Sequence, residues 1–346
     1  MQFFYDKPNS ELQIYDFKCP SAQRCVAAGL TEDKKGRQKG VVILTSDAGK
    51  NWSVQEVAAH PISLFFLNET MGWMVTDRGL WFTNEGGRAW TRLESPKGIV
   101  QVYFLDAQQG FAIGYLKGLF QTSDGGKKWE KFAPASRPSG ETDTAVYDCI
   151  SFSGDHGVIL GRQAPSDERL PVWANPARAS LRPERATPAA LLETFDSGKN
   201  WKSLSNPIFG TVTQVLMASQ GFVYVLFEYF DYYKLPSSLI RMKFGGNTAE
   251  TVFAERTRAV TSFAVLPDGS TFLASVEPPG NSNQVPIPGK LRMLRSNDSK
   301  SWIDEDADYR AVAQRAILAA PDAQHAWVAT DTGMILWRAE GRSAGH

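Results

Sequence analysis

At 346 residues the chain exceeds the usual length of one domain, yet its 29 Gly, 19 Pro, 20 Phe, 10 Trp and 10 Tyr suit an all-β repeat whose core is shared out between repeats. Lys plus Arg and Asp plus Glu balance at 37 each, which excludes the long-range field that draws proteins to nucleic acid or to anionic membrane. No run approaches the ~20 apolar residues that span a bilayer. Met1 to Asp6 lacks the basic flank and apolar core of a signal peptide. The scattered His60, His156, His325 and His346, with no CxxC, exclude a recognisable zinc site, and neither a metal nor another cofactor is expected.

In chain order, Gln2 to Tyr5 is a short strand with no partner of its own. Tyr15 to Gly29 follows as a strand, a tight turn and a second strand, with Cys19 and Cys25 on either side of the turn. Strand ends flanking such a turn are within disulfide reach. A bridge implies an oxidising compartment; the alternative is two small buried thiols. Cys149 is the odd cysteine, expected in a buried strand. Next comes Thr45-Ser46-Asp47-Ala48-Gly49-Lys50-Asn51-Trp52. The same pattern returns as Thr83 to Trp90, with Glu85 in the acidic place, as Thr122 to Trp129 around Asp124, and as Thr194 to Trp201 around Asp196. Arg295 to Trp302 is a worn copy. Ser/Thr-x-Asp-x-Gly-x-x-Trp is the Asp-box.

Each part of the box has a physical task. The segment must reverse the chain between two antiparallel strands. The aspartate accepts backbone N–H groups of its own turn, supported by the hydroxyl residue, and Gly allows positive φ without steric cost. The Trp opens the outgoing strand and is expected to bury its ring between blades. Asp47, Glu85, Asp124 and Asp196, with Trp52, Trp90, Trp129, Trp201 and Trp302, are therefore read as structural, and no catalytic residue is assigned.

Upstream of each box a strand–turn–strand pattern repeats, as in Ser63 to Val75 and Val102 to Gly114. A third strand then enters the box, as in Gly118 to Gln121, and a fourth leaves it. Four consecutive antiparallel strands make a propeller blade. The step from Trp52 to Trp90 matches that from Trp90 to Trp129. The step to Trp201 holds one blade with an insertion, and the step to Trp302 holds two. The first of those two has no box; its outer hairpin runs through Ser238 to Phe244 and Glu250 to Glu255. After Trp302 only three strands remain, near Ala316 to Ala320, His325 to Ala329 and Met334 to Ala339, so Gln2 to Tyr5 is expected to complete the last blade. The expectation is an all-β, seven-bladed β-propeller in a single domain, residues 1–340, with six blades as the alternative. Residues 341–346 are expected to be a disordered tail.

These repeats resemble the BNR/Asp-box superfamily over essentially the whole chain. The form Gly-Trp/Phe-x-x-Gly followed by Thr-x-Asp-Gly-Gly-x-x-Trp is most similar to the photosystem II stability/assembly factor family. The resemblance implies a seven-bladed, extracytoplasmic, non-enzymatic propeller that acts as an assembly chaperone. It carries over no binding residue. Sialidases share the box, but their Phe/Tyr-Arg-Ile-Pro motif is missing: the first arginine here is Arg24, inside a turn. A sialidase-like glycoside hydrolase remains only as an alternative, and no Gly-x-Ser-x-Gly elbow marks a serine hydrolase.

In a four-stranded blade the turn joining strands one and two shares an end with the box. The loops joining strands two and three lie at the other end. There, blades 4, 5 and 6 carry the long segments 163–190, 228–236 and 277–289, and long loops in compact folds are usually functional or disordered. The first holds Arg169, Arg178, Arg182 and Arg185 around Trp173. The second holds Tyr229, Phe230, Tyr232 and Tyr233 beside Glu228 and Asp231. Aromatic groups with interspersed charge suit a protein hot spot or a sugar face; the alternative is a polar insertion whose tyrosines cap the blade. The expected protein is an extracytoplasmic (periplasmic or secreted), monomeric scaffold for a protein partner. A glycan is the second candidate ligand, and no nucleic acid is expected.

Overall fold

The computed structural model describes residues 3–132, 146–162, 189–206, 211–229, 236–246, 248–277, 280–282, 285–287, 289–305, 309–311 and 313–337. It is a seven-bladed β-propeller of four-stranded antiparallel blades. Blade 1 runs through Ser10–Lys18, Cys25–Asp33, Gln38–Thr45 and Ser53–Val57; blade 2 through Pro61–Phe66, Gly72–Thr76, Gly79–Thr83 and Thr91–Leu93. Blade 3 comprises Ile99–Phe104, Gly110–Gly114, Gly118–Thr122 and Glu130–Lys131. Blade 4 comprises Val146–Ser153, His156–Arg162, Ala189–Thr194 and Lys202–Asn206. In blade 5, Thr211–Met217 and Phe222–Glu228 precede the box-less outer hairpin Ser237–Lys243 and Ala249–Glu255. Blade 6 is Ala259–Val265, Thr271–Val276, Gly289–Ser296 and Ile303–Asp304, with Tyr309–Ala311 also paired to its third strand.

Blade 7 has only Ala316–Ala319, Trp327–Thr330 and Met334–Trp337 from the C-terminal side, as the orphan count requires. Phe3–Phe4 supplies its fourth strand, with Phe3 opposite Ile335 and Phe4 opposite Met334. The seven-blade count stands and the six-blade alternative falls.

The chain forms two compact units, one built on blades 1, 2, 6 and 7 and the other on blades 3, 4 and 5. In the first, Leu12, Ile14, Phe17, Ile43, Trp327 and Ile335 pack blade 1 on blade 7, while Val26, Val42, Leu64 and Met74 pack it on blade 2. In the second, Phe111, Ile113, Tyr147, Ile150 and Phe152 join blades 3 and 4, and Val158, Leu160, Val215, Val225 and Phe227 join blades 4 and 5. Each blade thus has two apolar faces, and its second strand is buried on both, as in Gly72–Thr76 and Gly110–Gly114.

Two features differ from the sequence expectation or were missed by it. The first strands of blades 1 to 6 all slip register by one residue, between Ile14 and Asp16 and at the matching place in each repeat. Such a bulge bends a strand and increases its twist. The box tryptophans are also not uniformly buried. All five open the outermost strand of their blades, yet Trp201 is 4% exposed while Trp52, Trp90, Trp129 and Trp302 are only half-buried. Among the described residues the fully buried tryptophans are Trp73 and Trp327, both on second strands.

Candidate functional site

The box end of the blades is built from one repeated hydrogen-bond pattern. In blade 1 the Thr45 hydroxyl donates to Asp47 Oδ1 at 2.8 Å and accepts the Gly49 N–H at 3.0 Å, while Asp47 accepts the Asn51 N–H at 2.9 Å. Thr122, Asp124, Gly126 and Lys128 repeat these contacts in blade 3, and Thr194, Asp196, Gly198 and Asn200 repeat them in blade 4. In blade 2 Thr83 still accepts the Gly87 N–H. The blade 6 copy is one residue shorter, lacking the glycine, and Asp298 takes the N–H groups of Lys300 and Ser301. The residue after the acid is left-handed in every box: Ala48, Gly86, Gly125, Ser197 and Ser299.

These contacts act on the acids' protonation. The Asn51 N–H and side-chain amide hold Asp47 at a pKa of about 2, and backbone N–H groups, foremost those of Ser301 and Lys300, drive Asp298 lower still. Asp124 is lowered chiefly by the Lys128 N–H, and Asp196 chiefly by the Asn200 side chain. A carboxylate so engaged is a turn lock, unsuited to giving or taking protons near neutrality.

The first-to-second-strand turns dock onto the boxes. In blades 1 to 4 the N–H after the box acid donates to that turn: Ala48 to the Gln23 carbonyl, Gly86 to Thr70, Gly125 to Gln108 and Ser197 to Asp155. In blade 1 the turn is closed by the Cys19–Cys25 disulfide, and Arg24 Nη1 donates from it to the Glu85 and Gly86 carbonyls of blade 2. Cys149 lies buried in the first strand of blade 4.

At the other end, segments 163–190, 228–236 and 277–289 do join second to third strands of blades 4, 5 and 6. Arg169, Trp173, Arg178, Arg182, Arg185, Phe230, Tyr232 and Tyr233 lie outside the described residues, as does the tail from 338. Tyr229 is half-buried. Its ring packs on the core between blades 4 and 5, and its hydroxyl shares a hydrogen bond with Ser238 Oγ at 2.7 Å. In the blade 6 loop Gly280–Ser282 pairs with Val285–Ile287 as a small hairpin.

At the end of the second strand of blade 4 a pair stands out that the sequence did not single out. Asp148 occupies the bulge of its first strand, and Arg162 Nε lies 3.3 Å from its carboxylate at the last position before the insertion. Burial pushes Asp148 up to about 6, with Arg162 pulling the other way. Burial prevails because the arginine side chain is itself 45% exposed and its charge is screened by water. In the first unit, a cleft of about 540 Å³ opens between the N-terminal strand segment and the long hairpin of blade 1. Its Arg37 and Lys39 are already paired with Asp33 and Glu56.

A family model described as Photosynthesis system II assembly factor YCF48 matches residues 89–165. The Photosystem II assembly lipoprotein Ycf48 of Trichormus variabilis is 30% identical over 134 residues, covering 33% of this chain and 38% of the relative. The chloroplastic Photosystem II stability/assembly factor HCF136 of Arabidopsis thaliana is 32% identical over 98 residues, covering 28% and 17%. In both matches the chain spans well under half of the relative's length. A solved structure titled YCF48 bound to D1 peptide superimposes with a TM-score of 0.60 over 98% of this chain and 99% of that one, at 13% identity. Among the described residues no helix is long and apolar enough to cross a membrane. The chain is a BNR-type β-propeller resembling the photosystem II assembly factors.

Proposed function

We propose that this chain is a non-catalytic, extracytoplasmic scaffold of the assembly- or stability-factor kind, which captures a protein client on the second-to-third-strand loops of blades 4, 5 and 6. The observation that carries the reading is the sequence match to named assembly factors. The matched residues 89–165 cover blade 3 and the first half of blade 4 and stop where the long insertion starts. A relative of the same fold is titled as peptide-bound, which favours a protein segment as the ligand. The chemistry of the boxes supports a role without catalysis, because Asp47, Asp124, Asp196 and Asp298 are spent on their own turns. The Cys19–Cys25 bridge favours an oxidising compartment.

Affinity capture from source-cell extract, quantified by mass spectrometry, tests this with three baits: the full chain, a chain lacking 163–190, and a Tyr232→Ala, Tyr233→Ala variant. One client recovered by the full chain and lost with both variants is expected. Equal recovery by all three baits removes the loops from the account, and a glycosidase activity in the purified chain removes the non-catalytic reading.

A further inference from the structure

The first-to-second-strand turn of blade 1 is built unlike those of blades 2 and 3. There a backbone bond closes the turn, from the Leu67 N–H to the Met71 carbonyl at 3.0 Å and from the Leu105 N–H to the Gln109 carbonyl at 2.9 Å. The Asn68 or Asp106 side chain then takes two N–H groups of the turn at 2.7 to 3.0 Å. In blade 1 the Cys19–Cys25 disulfide stands in the closing position, just beyond the last ladder pair of Lys18 and Val26. It spans a longer turn, 20–24 against 68–70 and 106–108, in which the Ser21 hydroxyl takes the Gln23 and Arg24 N–H groups at 3.2 Å each.

The lengthened turn carries Arg24 across to blade 2. Its Nη1 donates to the Glu85 and Gly86 carbonyls at 3.3 Å each, and Arg88 of the blade 2 box reaches back to Ser46 Oγ at 3.1 Å. Gly86 makes the seat, since a Cβ there would stand 2.1 Å from Arg24 Nη1. The residue after the carbonyl that docks on the box is Met71 in blade 2, Gln109 in blade 3 and His156 in blade 4; of these four blades, blade 1 alone places an arginine there. A bridge restrains the unfolded chain less the shorter the loop it closes. This one joins residues 6 apart at the end of a hairpin already laddered from Ser10 to Lys18. Its effect is therefore local, on the turn and on the arginine that the turn presents.

We propose that the Cys19–Cys25 bridge is a redox-operated latch between blades 1 and 2. Closed, it holds Arg24 on the carbonyls of the blade 2 box; opened by a dithiol reductant, it frees the turn and the contact is lost. One thiolate of the reductant attacks a bridge sulfur, and the other bridge sulfur leaves as a thiolate and takes up a proton. The second thiol of the reductant then displaces the first sulfur, so two cysteine thiols form as the dithiol becomes a disulfide. Cys149, buried in the first strand of blade 4, takes no part. The latch does not depend on the client reading.

Amide hydrogen–deuterium exchange of the full chain, oxidised and in excess dithiothreitol without denaturant, tests this. Reduction should speed exchange at least ~5-fold in 20–24 and in the blade 2 box, 83–90, and leave the blade 3 box, 122–129, unchanged. Arg24→Gln in the oxidised chain should speed 83–90, and reducing that variant should add nothing further there. Cys19→Ser with Cys25→Ala should match the reduced chain without any reagent, and thermal melts confirm that each form is folded. A bridge that the folded chain keeps in dithiothreitol, exchange in 83–90 indifferent to reduction, or an equal rise on reducing the Arg24→Gln variant each overturns the latch. Faster exchange throughout the chain overturns it too, by making the bridge a general staple.

Discussion

Replacing Trp201 by alanine should cost the protein far more than the same change at Trp129, although both open the fourth strand of a box. Trp201 is 4% exposed and stands edge-on to Phe111 and Phe152, with centroids 5.9 and 5.8 Å away. A tryptophan buries about 200 Å², which at about 25 cal/mol per Å² is about 5 kcal/mol. Residual compactness of the unfolded chain trims that figure, so about 3–5 kcal/mol should be lost at Trp201. Trp129 is half-buried, has Phe104 as a ring neighbour at 6.1 Å and donates its indole N–H to the Gly126 carbonyl within its own box. Half the burial gives about 1–3 kcal/mol. Urea unfolding read by circular dichroism measures both, provided the m-values agree. The two residues sit in adjacent blades of one compact unit, so the comparison is internal. Equal losses, or a loss at Trp201 below about 1 kcal/mol, would refute the assignment of the box tryptophan's stabilising power to its burial.

Three further outcomes follow from the structure. Asp148 is raised to about 6, so between the ordinary carboxylate value of 3.8 and 6 the folded chain holds a proton that the unfolded chain has lost. Its contribution is therefore best below 3.8 and falls as pH climbs to 6, and Asp148→Asn should stabilise by about 1–3 kcal/mol at about pH 8 with the gain vanishing near pH 4. Destabilisation at pH 8 would show that the Arg162 pair outweighs burial. The box aspartates run the opposite way: their folded values are lowered, Asp47 to about 2, so their stabilisation is complete above 3.8 and lost as pH falls toward 2. In the Asp148→Asn background, stability by urea titration should hold or rise down to about pH 4, since burial also raises Glu193 and Asp331, and drop steeply below; a decline beginning near pH 6 counts against the turn-lock role. Removing residues 1–6 uncovers the edge of Met334–Trp337 and the Phe3 contact with Trp52, 5.9 Å between centroids, and should lower the melting temperature by several degrees; an unchanged melt would mean the closing strand is dispensable.

The blade count was legible because box chemistry is local. Thr45, Asp47 and Gly49 close their turn with partners at most four residues away, so the motif survives in the sequence wherever the turn survives in the fold. The closing strand was legible by subtraction, from three strands left without a fourth. The bulges were not, because the skipped residues, among them Tyr15, Ile62, Asp148 and Thr213, share no side-chain type; the slip is set by strand pairing and twist. Burial of the box tryptophans was misjudged because the motif fixes the turn and not how deeply the outermost strand is covered. Of the loops proposed to hold a client, the positions at the strand-two ends were legible, while Tyr229 proves to be anchored to Ser238 at the loop's base.

Hydrogen–deuterium exchange of the purified chain with its captured client, against the chain alone, tests client capture most directly. Protection concentrated in 163–190, 228–236 and 277–289, and absent when 163–190 is removed, is the result this account expects. Protection that bypasses all three segments, or a client that binds the loop-deleted chain with the same exchange pattern, would contradict it.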